Sequence, residues 1–167
     1  MSSLSRNVLR SSLKNFSAAQ KSSLQYPLRT AVTLKNHKYT VQAVAQGKGR
    51  NGDVVSDDFK LTVASPKELG GTGEGTNPEQ LFAMGYSTCF LGALQAVANK
   101  LGKAEMAKNA VVHATVSLGE ANEIPGFGIE VEIKVEGIDE ELLKAGHDFC
   151  PYSRALTRGA NVKVSLA

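Results

Sequence analysis

The sequence predicts an α+β fold in which antiparallel sheets wrap one long buried helix. Three observations carry this. A 20-residue run from Gln80 to Asn99 contains no charged residue. Short segments with strand-like alternation lie on both sides of it. No internal repeat or low-complexity stretch appears, and the class is α+β. At 167 residues the chain suits one domain with a substantial core.

The elements follow in order. Residues 1–29 are Ser-rich, basic and free of acids. Leu4, Val8, Leu9, Leu13 and Phe16 recur at helical spacing, with Arg6, Arg10 and Lys14 on another stripe. That composition reads as a mitochondrial transit peptide or a disordered basic leader. Residues 30–167 are expected to form the single domain. Residues 39–46 alternate as a strand. Asn51-Gly52 predicts a tight hairpin turn, because both residues tolerate positive φ. Residues 59–64 continue as a strand, and the Gly-rich stretch 65–76 reads as a loop.

Asn77-Pro78-Glu79 predicts a helix start: a side-chain cap, a proline at the first position and an acid at the positive end of the dipole. This helix should run to about Leu101, with Gly102 as its stop. Its lack of charge invites a transmembrane reading. Gly85, Ser87, Thr88, Gly92 and Gln95 dilute the apolarity, and the ends are capped like a soluble helix, so no membrane span is expected. Residues 110–118 and 127–135 predict two strands. In the second, Ile129, Val131, Ile133 and Val135 share one face. Asp139 to Phe149 predicts a helix, Pro151 to Arg158 a second, and residues 161–166 a final strand.

The net charge of +3 is unevenly placed. Nine bases precede the first acid, Asp53, and from there ten bases face sixteen acids. The basic character belongs to the leader and gives no argument for nucleic-acid binding. Two cysteines are too few for a disulfide scaffold and lack the spacing of a zinc site. The chemistry therefore centres on Cys89 and Cys150. Cys89 alone would read as a small inert hydrophobe. Cys150 stands just before Pro151, at the N-cap of the last helix, where backbone N–H groups favour a thiolate. Sixty-one positions separate the two, so pairing depends on the fold.

Two stretches carry a resemblance. The run from Leu69 to Phe90 (LGGTGEGTNPEQLFAMGYSTCF) and the run Cys150-Pro-Tyr-Ser-Arg-Ala-Leu-Thr-Arg-Gly resemble the cysteine signatures of the OsmC/Ohr family. The PEQLF, YSTCF and CPYS segments resemble its organic hydroperoxide resistance (Ohr) branch more than its OsmC branch. The resemblance spans about residues 38–167. It implies an intertwined homodimer with active sites at the interface. It also implies a thiol peroxidase acting on alkyl and fatty-acid-type hydroperoxides. Cys89 would become a sulfenic acid, Cys150 would condense with it to a disulfide, and an external dithiol, characteristically a lipoyl group on a protein, would reduce the pair. No metal or bound cofactor is implied.

The resemblance further supplies an arginine held by a glutamate, matching Arg50 and Glu79. By themselves these read as a solvated turn residue and a helix N-terminal acid. Glu79 and Cys89 lie ten residues apart, about 15 Å along a straight helix. Arg50 must then span a bent helix start, or a second subunit must complete the site. Phe82, Tyr86, Phe90, Phe149 and Tyr152 are candidates for an apolar peroxide mouth, with ordinary core packing the plainer reading of each. His147 reads as a surface histidine. Arg154, Leu156 and Met84 depart from the family pattern. The leader and a lipoyl-type reductant together suggest a mitochondrial protein, with the cytoplasm as the alternative. The competing class is a non-enzymatic lipid-binding or redox-sensor protein with the same two cysteines. A third reading keeps the peroxidase chemistry but places it in the OsmC branch, with broader substrates.

Overall fold

A computed structural model describes residues 31–166. The leader expectation falls outside the described residues. The observed order is β1 (Val44–Lys48), β2 (Asn51–Ser56), β3 (Phe59–Val63), α1 (Pro78–Lys100), α2 (Ala104–Lys108), β4 (Val111–Glu120), β5 (Phe127–Glu136), α3 (Glu140–Phe149) and α4 (Pro151–Arg158), with a 3₁₀ turn at Lys67–Leu69. β1, β2 and β3 form an antiparallel meander, and β4 and β5 an antiparallel hairpin. The α+β class with a long central helix is as predicted.

Helix α1 begins where the sequence places it. The Asn77 side chain accepts from the Gln80 N–H, and Gln80 returns the bond to the Asn77 N–H, a full capping box. Beyond Leu101, Gly102 takes φ 68°, the left-handed conformation that ends helices. The helix is long and apolar enough to cross a membrane by composition. It is capped and packs against α3 and β4. The sequence predicts burial of this helix, and in this chain one stripe of it is buried: Tyr86, Phe90, Ala93, Leu94, Val97 and Ala98. Met84 on another face is 60% exposed.

The β4–β5 ladder covers this stripe. Val112 pairs with Val135, Ala114 with Ile133 and Val116 with Val131, so one face of the hairpin is apolar. Val112, Val131, Ile133 and Val135 pack on the core. On the other side α3 lies close to α1 because position 146 is glycine: a Cβ there would run into the Leu94 side chain. Asp139 caps α3 by accepting from the Leu142 N–H, and Lys103 donates to Asp139 at 2.6 Å and also pairs with Glu141.

Three sequence expectations need correction. The first hairpin turn is not Asn51-Gly52. Lys48 pairs with Asn51, so the turn is Gly49-Arg50, two residues earlier. Gly49 alone of these two has positive φ (61°), the arrangement of a II′ turn led by glycine. Asn51 uses its side chain instead to accept from the Ser65 N–H. Secondly, residues 39–43 lie outside any strand, and β1 begins only at Val44. Thirdly, residues 161–166 form no strand, although Val162, Val164 and Leu166 alternate and are 77%, 93% and 100% exposed. Both segments have strand patterning, yet a strand needs a ladder partner, and among the described residues neither segment is paired in a ladder.

Candidate active site: two cysteines on adjoining helices

The fold brings the two cysteines together. Cys89 sits midway along α1. Cys150 both ends α3 and begins α4, with φ −63° and ψ 124°, the extended backbone imposed on a residue before proline. Its N–H donates to the Gly146 carbonyl and its carbonyl accepts from the Arg154 N–H. The backbone is thus used by both helices, and the side chain points at α1. The Cys150 thiol faces the Cys89 sulfur at 3.8 Å. Both are free thiols; Cys150 is fully buried and Cys89 partly so.

Cys150 stands at the N-cap of α4, and no side-chain capping hydrogen bond joins it to the helix. The helix start also acts on the other cysteine. Pro151 has no N–H, so the first free donor of α4 belongs to Tyr152, and that N–H pulls the Cys89 thiol down. Burial is the larger influence and pushes Cys89 up, with the nearby Cys150 adding to the rise.

Arg50 and Glu79 also meet. Arg50, second residue of the hairpin turn, donates from its guanidinium to the Glu79 carboxylate at the first turn of α1. The loop between β3 and α1 holds this arrangement: the Ala64 N–H donates to the Thr76 carbonyl, and the Thr76 N–H to the Thr62 carbonyl. Arg50 Nε is buried and has no hydrogen-bond partner among the described residues. No cation is among the groups that move the Cys89 thiol most. The chain therefore assembles two pairs, Cys89 with Cys150 and Arg50 with Glu79, at separate points along α1.

The five aromatic candidates divide. Phe82 and Tyr152 stack at 6.2 Å between centroids, and both lie within about the same distance of Tyr86. Tyr152 is exposed and Phe82 half-buried against the core. Phe90, at 1% exposure, and Tyr86, at 4%, belong to the core. In the free chain these two therefore stand behind Phe82 and Tyr152 and offer almost no surface of their own. Phe149 turns away, toward Lys100 at 5.4 Å and Arg154 at 5.7 Å. Sequence reasoning missed Ser153, whose hydroxyl meets that of Tyr86 at 2.9 Å. The signal was present: Ser153 is one turn after Cys150, and Tyr86 one turn before Cys89. Among the described residues no group of three or more His, Cys, Asp or Glu is arranged to hold a metal.

Residues 71–165 match the family of OsmC-like proteins. The chain belongs to the OsmC-like family. An organic hydroperoxide resistance protein of Xanthomonas axonopodis pv. citri is 46% identical, over 77% of this OsmC-like chain and 92% of the relative. Organic hydroperoxide resistance protein OhrB of Bacillus subtilis is 38% identical, over 77% of this chain and 97% of that one. A crystal structure of an organic hydroperoxide resistance protein from Legionella pneumophila superposes with a TM-score of 0.66 at 40% identity, covering 77% of this chain and 96% of the other.

Proposed function

We propose that this OsmC-like protein is a thiol peroxidase of the Ohr type that reduces organic hydroperoxides to alcohols. The observation that carries the reading is the 3.8 Å approach of Cys89 and Cys150, 61 residues apart in sequence. The Ohr-named relatives supply the substrate class. The Cys89 thiolate attacks the peroxide O–O bond; the sulfur takes one oxygen, and the other leaves as alkoxide and is protonated to the alcohol. The sulfenic acid then condenses with the Cys150 thiol, giving the disulfide and water. A dithiol, of which a protein-bound lipoyl group is the proposed natural form, regenerates both thiols by exchange. Phe82 and Tyr152 offer a partly accessible apolar wall to an alkyl peroxide.

Arg50, oriented by Glu79, is the proposed cation for the thiolate step. Its unpartnered Nε favours a role beyond the ion pair. Its placement at the start of α1, well before Cys89, favours a site completed by a second copy of the chain. The unpaired segments 39–43 and 161–166 favour the same homodimer, since a second copy supplies the missing ladder partners. The acid-free basic leader supports a mitochondrial address.

The test is turnover of tert-butyl hydroperoxide with dihydrolipoamide, for wild type and Cys89→Ser. Wild-type activity lost in Cys89→Ser is the expected outcome. Activity surviving in Cys89→Ser would reassign the nucleophile. A wild type inactive with every dithiol would favour the lipid-binding or redox-sensor reading.

A further inference from the structure

We propose that the Tyr86–Ser153 hydrogen bond is a clamp that holds the two sulfurs in register, making both residues positioning residues for disulfide formation. The inference rests on the two-cysteine reading above. Tyr86 and Cys89 are one turn apart on α1, and Cys150 and Ser153 are one turn apart at the start of α4. Two contacts therefore bridge the same pair of helices side by side: hydroxyl to hydroxyl at 2.9 Å and sulfur to sulfur at 3.8 Å.

Burial makes the polar contact notable. Tyr86 is 4% exposed and Ser153 1%. A buried hydroxyl is costly unless paired, and phenylalanine and alanine would fill this space without that requirement. What the pair adds is direction, because a hydrogen bond fixes the relative placement of its partners as apolar packing does not. Within the eight residues of α4, Ser153 is the one buried side chain. Tyr152 packs on Phe82 and Tyr86 of α1 from the more open side, and the Tyr86–Ser153 bond adds the one buried side-chain hydrogen bond between α4 and α1 among the described residues.

The position matters because Cys89 sulfenic acid has two fates. With the Cys150 thiol it loses water and forms the disulfide. With a second molecule of hydroperoxide it takes another oxygen and becomes sulfinic acid, releasing the alcohol, and the thiol is lost. To form the bond the sulfurs must close from 3.8 Å to about 2.05 Å. A loosened α4 slows the first fate and leaves the second untouched.

The experiment is rapid-quench mass spectrometry on the full chain under excess tert-butyl hydroperoxide, reading the ratio of sulfinic acid to disulfide. Wild type is compared with Tyr86→Phe, Ser153→Ala and the double variant. The dithiol–disulfide equilibrium of each is measured in parallel against a dithiothreitol redox buffer, which needs no peroxide. Each single variant should raise the sulfinic fraction about three- to tenfold and make the disulfide easier to reduce by a similar factor, the range one hydrogen bond spans. The double variant should match the singles, since one bond is lost in all three. Val97→Ala, a core change elsewhere on α1, should lower stability and leave the ratio alone. A wild-type ratio and equilibrium in Tyr86→Phe and Ser153→Ala would overturn the clamp, as would Val97→Ala reproducing their effect. If wild type gives neither product with peroxide, the peroxidase reading fails, and the dithiothreitol equilibrium still decides the clamp.

Discussion

At the scale of single residues, the Cys89 thiol is governed by opposed influences. Burial raises its pKa, the Tyr152 N–H lowers it, and Cys150 raises it again, with a net rise. A thiol whose pKa rises on folding binds its proton more tightly in the folded state. Its contribution to stability is complete below the unfolded thiol value and is lost as pH climbs through the folded one. The urea midpoint should therefore fall from about pH 8 to pH 10, the range where thiols ionise, and Cys89→Ser should flatten that fall. A midpoint with the same slope in the variant would remove Cys89 as the cause. Tyr86 is raised too, chiefly by burial, so Tyr86→Phe should remove a further alkaline loss.

At the scale of elements, α1 is fixed at its start by chemistry and along its length by shape. The Asn77–Gln80 capping box satisfies two orphan N–H groups. Asn77→Ala should cost about 0.5–2 kcal/mol in chemical denaturation. The approach of α3 depends on Gly146, where an added Cβ meets Leu94, itself wholly buried. Gly146→Ala gains some helix propensity but overpacks the contact. A net loss of about 1–2 kcal/mol is expected, seen as a lower unfolding midpoint. The Gly49-Arg50 turn matters in a different way. It puts Arg50 at the hairpin tip, from which its side chain reaches Glu79 on the following helix.

At the scale of the whole molecule, the distribution of exposed apolar residues points outward from the single chain. The core gathers α1, α3 and the β4–β5 hairpin, whereas β1 is exposed along its full length. Val41, Val162, Val164 and Leu166 are likewise exposed. In the proposed homodimer a second copy covers these segments, which would account for their alternation. Sedimentation of the full chain should give a dimer, and deleting residues 161–166 should shift the equilibrium toward monomer. A monomeric, fully active wild type would overturn the dimer.

Much of the architecture is local in origin and so was legible before any coordinates. Caps, prolines and stop glycines act within a turn or two, which is why α1, α3 and α4 begin and end where Asn77, Asp139 and Pro151 indicate. Alternation alone sufficed for β4 and β5, whose ladder partners are close in sequence. The same alternation failed at residues 39–43 and 161–166, because patterning specifies a face and not the neighbour that must hydrogen-bond to it. The Asn51-Gly52 turn failed by two residues, since several turn-forming residues compete in GKGRNGD and the register of β1 against β2 decides among them. The motifs singled out Cys89, Cys150, Arg50 and Glu79. The packing of α4 on α1 decided that the sulfurs face each other, that the Tyr152 N–H of α4 acts on Cys89, and that Tyr86 meets Ser153. Those are contacts across 60 or more positions, and their energies belong to the folded chain, not to any segment of it.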